Sequence, residues 1–229
     1  MTKNSKKIRS CAKSTLCEEK FFGFLENNGS PELQEAYNNL SSNVIHLPID
    51  DKCKKIAITS SIYGEGKTSL SINLSISLAQ NLIDKKILLV DADMHCPHIK
   101  KFISSVAVVE EGTELSFFLS GTEKNFSFGK SHIKNLDIVF SEVAQITPTG
   151  LINSSRMNEF ISLCEEKYDY IIIDTPPANY FADAASFVNI VNGYIISTKS
   201  RTSKIPMISS TADALTSVGA TILGVVLTK

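Results

Sequence analysis

The chain has 229 residues, 43% of them hydrophobic and 21% charged, which is enough for one α/β domain with a sizeable core. Its net charge of −1 excludes a general electrostatic pull toward nucleic acid or an anionic membrane. No apolar stretch approaches the ~20 residues that span a bilayer, and the first thirty residues lack the apolar middle of a secretion signal.

In chain order, residues 1–30 read as a polar tail. It carries a basic cluster (Lys3, Lys6, Lys7, Arg9, Lys13) and one short helix at 17–25. Ser30 and Pro31 open a helix, as N-cap and first turn. Its apolar stripe runs through Leu33, Tyr37, Leu40 and Val44, and Pro48 ends it. From there strands and helices alternate. Strands are predicted at 56–59, 86–90, 136–140, 170–173, 194–198 and 222–227. Helices are predicted at 67–82, 154–167, 182–191 and 205–218, with 99–135 less regular. Short, all-apolar strands separated by helices predict a mostly parallel sheet covered on both faces, a three-layer α/β/α fold. The five cysteines are scattered and odd in number. They form neither a disulfide framework nor metal-ligand pairs, and a reducing cytoplasm suits them.

The segment from Ser60 to Ser69 sits between an apolar strand and a helical pattern. Its Gly64-Glu65-Gly66-Lys67-Thr68 is the signature of a phosphate-binding loop, although Ser61 stands at the usual first glycine. Glycines let successive N–H groups turn inward toward phosphate oxygens, and the following helix adds its positive end. Gly64, Glu65, Gly66, Lys67, Thr68 and Ser69 are therefore the candidate nucleotide-binding residues. Lys67 reaches the terminal phosphates and Thr68 ligands Mg²⁺.

Two apolar strands end in acid: Ile87-Leu88-Leu89-Val90 leads to Asp91-Ala92-Asp93, and Tyr170-Ile171-Ile172-Ile173 leads to Asp174. In a parallel sheet, ligands bind beyond the carboxyl ends of the strands. Asp91, Asp93 and Asp174 are thus expected to meet Lys67. With Thr68 they form the candidate Mg²⁺ set, since Mg²⁺ takes oxygen ligands. Lys67, Asp91 and Asp93 are the candidate catalytic residues. ATP and Mg²⁺ are the expected cofactors.

These segments, in this order, resemble the bacterial tyrosine kinases of capsule and exopolysaccharide synthesis (the CpsD/CapB type), on a P-loop NTPase core like that of MinD and ParA. The similarity covers residues 31–229. It includes Pro148 to Met157 and the closing segment from Gly219 to Lys229. The resemblance implies a kinase-like domain at 31–229 that phosphorylates protein tyrosine with ATP and Mg²⁺, in full or weakened form. Asp91 would be the base, and Asp93 and Asp174 would support Mg²⁺. It further implies a membrane-embedded chain-length regulator as activating partner, a homo-oligomer, and cytoplasmic location with recruitment to the inner face of the plasma membrane. A nucleic-acid partner is not expected.

The sequence departs from that family at several positions. His95 stands for an arginine, and Asn38 and Ser41 stand for two arginines spaced after Glu35. Gly150 replaces a glutamate, Thr228 an asparagine near the adenine, and Tyr63 a proline. The six tyrosines (Tyr37, Tyr63, Tyr168, Tyr170, Tyr180, Tyr194) are dispersed, so phosphorylation of a C-terminal tyrosine cluster is not expected. Two alternatives remain open at this stage: a MinD/ParA-like regulatory ATPase switch, and a non-catalytic nucleotide-binding scaffold.

Overall fold

The computed structural model describes residues 30–103, 108–142 and 147–228. The expected basic tail and its short helix lie outside the described residues. Helix α1 (Pro31–Ile45) starts as anticipated: Ser30 is extended and its hydroxyl accepts from the Leu33 N–H. Strand β1 (Lys54–Ser60) leads through the glycine loop into α2 (Lys67–Asn81), and β2 (Ile87–Asp91) follows. The segment expected to be less regular holds short pieces: α3 (Ile99–Ile103), β3 (Val108–Glu110), α4 (Leu115–Leu119) and β4 (Gly129–Ser131). After β5 (Leu136–Val139) come α5 (Pro148–Ile152), α6 (Ser155–Lys167) and β6 (Tyr170–Asp174). The chain finishes with α7 (Asp183–Ser186), β7 (Gly193–Lys199), α8 (Ile205–Ser217) and β8 (Ile222–Thr228).

One sheet of eight strands has the order β3-β4-β5-β2-β6-β1-β7-β8. Strands β5 to β8 along this order are mutually parallel, and β3 and β4 add an antiparallel edge. The mostly parallel expectation therefore holds, with this edge as its exception. The helix expected over 182–191 is corrected. Only the four-residue α7 forms, and the backbone beyond it closes in turns at Val188, Ile190 and Val191. Phe187 is pulled into the core there, so packing rather than helical periodicity decides the local path.

Alternation within the strands fills both faces. Ile87 and Leu89 pack with Ile56, Ile58 and Ile172 against α1, α2 and α3. Leu88 and Val90 pack with Ala57, Ile171 and Ile173 against Phe118 of α4, Met157 and Phe160 of α6, and Leu215 of α8. Helix α2 is buried along nearly its whole length, from Lys67 to Ala79, because β-strands cover one side and α1 the other. The α1–α2 seam is polar. Asn81 donates to Ser41 Oγ at 2.7 Å, and Ser77 donates to Ser41 Oγ and Asn38 Oδ1, both at 3.1 Å. The two positions where the resembled kinases carry arginine are thus engaged in tying α1 to α2.

Cys53 and Cys164 are free and buried. Cys11 and Cys17 lie outside the described residues.

A buried carboxylate braces the β4–β5 edge. Asp137 accepts from Lys130 Nζ and from the Tyr168 hydroxyl, each at 2.6 Å, and lies 3.3 Å from Lys167 Nζ. Burial pushes the Asp137 carboxyl up, but Lys130, Tyr168 and Lys167 together hold it below the usual range. Its stabilisation is therefore present above the unfolded carboxylate pKa and lost as pH falls through the folded value. Asp137→Ala is expected to cost about 2–3 kcal/mol at neutral pH, because the buried Tyr168 hydroxyl loses its acceptor. Urea unfolding of both proteins at neutral and acid pH checks this. The gap should narrow in acid, and an unchanged gap contradicts the assignment.

Candidate functional site

The first four N–H groups of any helix lack intrahelical partners. Here α2 opens directly from the loop, with Gly66 as its N-cap. Gly64 and Gly66 have φ of +82° and +78°, a left-handed backbone that side chains resist. At Gly66 a Cβ would also crowd the Thr228 side chain, 3.1 Å from its Oγ1. The loop is held from within and from outside. Glu65 is buried, and its carboxylate accepts from the Ile62 N–H at 2.8 Å and from the Ser203 hydroxyl. Its carbonyl accepts from Ser197 Oγ at 2.5 Å and Thr228 Oγ1 at 3.1 Å. The loop is thus fastened to β7, to the turn before α8 and to β8. None of these ties to Ser197, Ser203 and Thr228 is marked by a local motif.

Lys67 projects to the carboxyl ends of β2 and β6. Its Nζ pairs with Asp93 Oδ2 at 2.9 Å, and both side chains are buried. Burial alone would lower the Lys67 pKa, but the carboxylates of Asp93, Asp174 and Asp91 reverse this and raise it, so the ammonium stays charged. Thr68 Oγ1 donates to Asp174 Oδ2 at 2.7 Å, and Ser71 Oγ donates to Asp174 Oδ1 at 3.1 Å. Asp91 pairs in register with Asp174 across β2 and β6. Its Oδ1 accepts from the Asp93 N–H at 3.2 Å, and its Oδ2 accepts from the N–H groups of His98 and Ile99 at 3.1 and 3.0 Å. Asp91 therefore also shapes the turn into α3, a role its sequence position did not announce.

Burial pushes the Asp91 carboxyl well above its ordinary range, and the charges of Asp174 and Asp93 add to the effect. Asp174 is likewise raised by burial, against the pull of Lys67 and the Thr68 hydroxyl. Three carboxylates and one ammonium give this pit a formal charge of −2, an electrostatic environment that favours a cation. Among the described residues, no group of three acidic, histidine or cysteine side chains is placed to cage a metal on its own. Mg²⁺ needs no such cage. It is usually held by one or two protein oxygens, with phosphate oxygens and waters completing the shell. The all-oxygen set around Thr68 and Asp174 fits that demand. Ser69 is half-buried on the first turn of α2.

Next to this pit lies a second constellation. His95 Nε2 is 2.5 Å from Asp183 Oδ2, and Thr149 also donates to Asp183. The imidazole stacks on Phe181 with centroids 3.7 Å apart. Phe181 in turn meets the Tyr63 ring edge-on at 6.2 Å, and Tyr63 stacks on Tyr180 at 5.6 Å. His95 thus sits where the resembled kinases carry arginine, and it has a buried acid as its partner.

The chain and its fold are similar to known proteins. Residues 53–204 match the family described as an AAA domain. A tyrosine-protein kinase CpsD of Streptococcus pneumoniae serotype 4 is 36% identical over 197 residues, covering 86% of this chain and 84% of that protein. The crystal structure of the chimerical protein CapA2B2 superposes with a TM-score of 0.80 at 27% identity, over 92% of this chain and 90% of the other. The kinase domain of the Escherichia coli tyrosine kinase ETK gives a TM-score of 0.76 over 90% of this chain and 78% of the other; at 24% identity it speaks for the fold alone. No helix among the described residues is long and apolar enough to cross a membrane.

Proposed function

The chain belongs to the CpsD-type bacterial tyrosine-protein kinases, built on an AAA domain, and from that premise we propose that it transfers the γ-phosphoryl group of ATP to protein tyrosine in capsule or exopolysaccharide production. The observation that carries the reading is the single buried pit in which Lys67 pairs with Asp93 and Thr68 with Asp174. Phosphoryl transfer asks a protein mainly for positioning and charge neutralisation. The N–H groups from Gly64 to Ser69 receive the phosphates, and Lys67 exchanges Asp93 for the terminal phosphate oxygens. Thr68 and Asp174 would hold Mg²⁺, which when bound would neutralise charge on the transferring group.

Asp93, released by Lys67, faces the incoming phenol. We assign the acceptor's proton to Asp93 rather than Asp91, because both Asp91 oxygens accept backbone N–H groups, whereas Asp93 commits only Oδ1 to the backbone, accepting from the Cys96 N–H at 3.1 Å, and its Oδ2 pairs with the Lys67 ammonium. Asp91 instead fixes the segment that carries Asp93. The chain would work at the cytoplasmic face of the membrane beside a membrane-embedded chain-length regulator, a placement that rests on family membership.

Incubating the full chain with labelled ATP, Mg²⁺ and a synthetic Glu/Tyr copolymer tests the reading. Metal-dependent label on tyrosine is expected. Release of inorganic phosphate with no phosphotyrosine would replace the kinase by an ATPase switch.

A further inference from the structure

A tyrosine kinase can modify its own phenols only where they reach the transfer centre. Four of the six tyrosines are closed off: Tyr37, Tyr168, Tyr170 and Tyr194 are at most 7% exposed. The Tyr168 hydroxyl is bound to Asp137 and that of Tyr194 to the Ala184 carbonyl. Tyr63 and Tyr180 remain, stacked on each other beside Phe181 and His95. Tyr63 belongs to the phosphate loop itself, four residues before Lys67. It is half-buried, and its ring packs on the segment after Asp174 that also holds His95, two residues beyond Asp93. Its phenol lies within electrostatic reach of the centre. Burial and the Asp93 carboxylate raise its pKa, and the Lys67 ammonium opposes them.

We propose that Tyr63 is a phosphorylation site of this chain, modified by its own transfer centre, and that the modified loop rejects nucleotide. The proposal rests on the kinase reading. In the step, the Tyr63 phenolic oxygen bonds to the γ-phosphorus and the bond to the β–γ bridging oxygen breaks. ADP leaves, and the phenolic proton passes to the Asp93 carboxylate and from there to water. The product carries about −1.5 to −2 of new charge on the loop that must receive a triphosphate. It also faces Asp93, a like charge. Nucleotide affinity is expected to fall at least ~10-fold, so the reaction shuts its own site.

The test incubates the full chain with ATP, Mg²⁺ and the Glu/Tyr copolymer, then maps phosphate by tryptic digestion and mass spectrometry. Cleavage after Lys55 and Lys67 isolates Tyr63 as the one tyrosine of its peptide. Phosphate on Tyr63 should accumulate with time, with binding of a fluorescent ATP analogue declining in proportion, and should be absent from the Lys67→Ala chain. Copolymer phosphorylation with Tyr63 bare leaves the kinase reading standing and overturns this proposal, as does label on Tyr180 alone. Tyr63 phosphate in the Lys67→Ala chain also overturns it, since another kinase must then be the source. If neither copolymer nor chain gains phosphotyrosine, both readings fall.

Discussion

Lys67→Met is expected to reduce kcat/KM for tyrosine phosphorylation by about 10³-fold, the equivalent of ~4 kcal/mol of lost transition-state stabilisation. The same change should weaken the empty protein. In the wild type the ammonium is the counter-charge of Asp93, and both groups are buried at 2.9 Å. Removing it strands a carboxylate in the interior, at a cost of about 3–5 kcal/mol unless the acid takes up a proton. Lys67→Arg separates the two effects. A guanidinium keeps the charge, but its planar fork does not reproduce a compact ammonium aimed at phosphate oxygens. Stability should largely return and activity should not. Urea unfolding beside phosphotyrosine kinetics gives both readouts. A Lys67→Met chain with more than a tenth of the wild-type rate would remove Lys67 from the mechanism.

Asp174→Asn should produce the opposite pairing, with activity down about 10²–10³-fold and the empty protein as stable as the wild type or more so. Loss of a carboxylate removes one of the oxygens that hold Mg²⁺. The fold tolerates it, because Thr68 and Ser71 hydroxyls donate to Asp174, and a hydroxyl can turn to accept from the new amide. Charge repulsion within the pit also falls. The Asp174 carboxyl is raised in the folded state. Its ionised form therefore costs stability above the folded pKa, and that cost vanishes as pH drops below the unfolded carboxylate value. The variant should therefore be the more stable protein near neutrality, and its advantage should shrink in acid. Denaturation at two pH values decides it. A variant clearly less stable than wild type at neutral pH would show that Asp174 is needed for folding rather than for metal.

The parts of this site that could be read from sequence are those whose signal is local. Gly64 to Thr68 follows a strand and opens a helix, and Asp91 and Asp174 end apolar runs, so each could be placed on the sheet before any contact was known. Residues that act across distance had no such signal. Asp183 meets His95 at a separation of 88 residues, and Ser203 meets Glu65 at 138. Each is an ordinary polar residue until the sheet order brings it home. Short β3 and β4 were missed because three residues show no period. The overlong helix at 182–191 was drawn by local composition, which the burial of Phe187 overrides. At Asp91 the sequence suggested chemistry, while the backbone N–H groups of His98 and Ile99 show a shaping role as well.

Helix α2 also bears on where this protein can be trimmed. The family match runs only from 53 to 204. A fragment cut to those borders would discard α1, which shields Tyr37, Ser41 and Val44 against α2. It would also discard β8, whose Thr228 props the glycine loop. The recognisable signature is thus smaller than the self-supporting body, and an expression boundary placed at Ser30 or earlier keeps the helix that starts at Lys67 dry on both flanks.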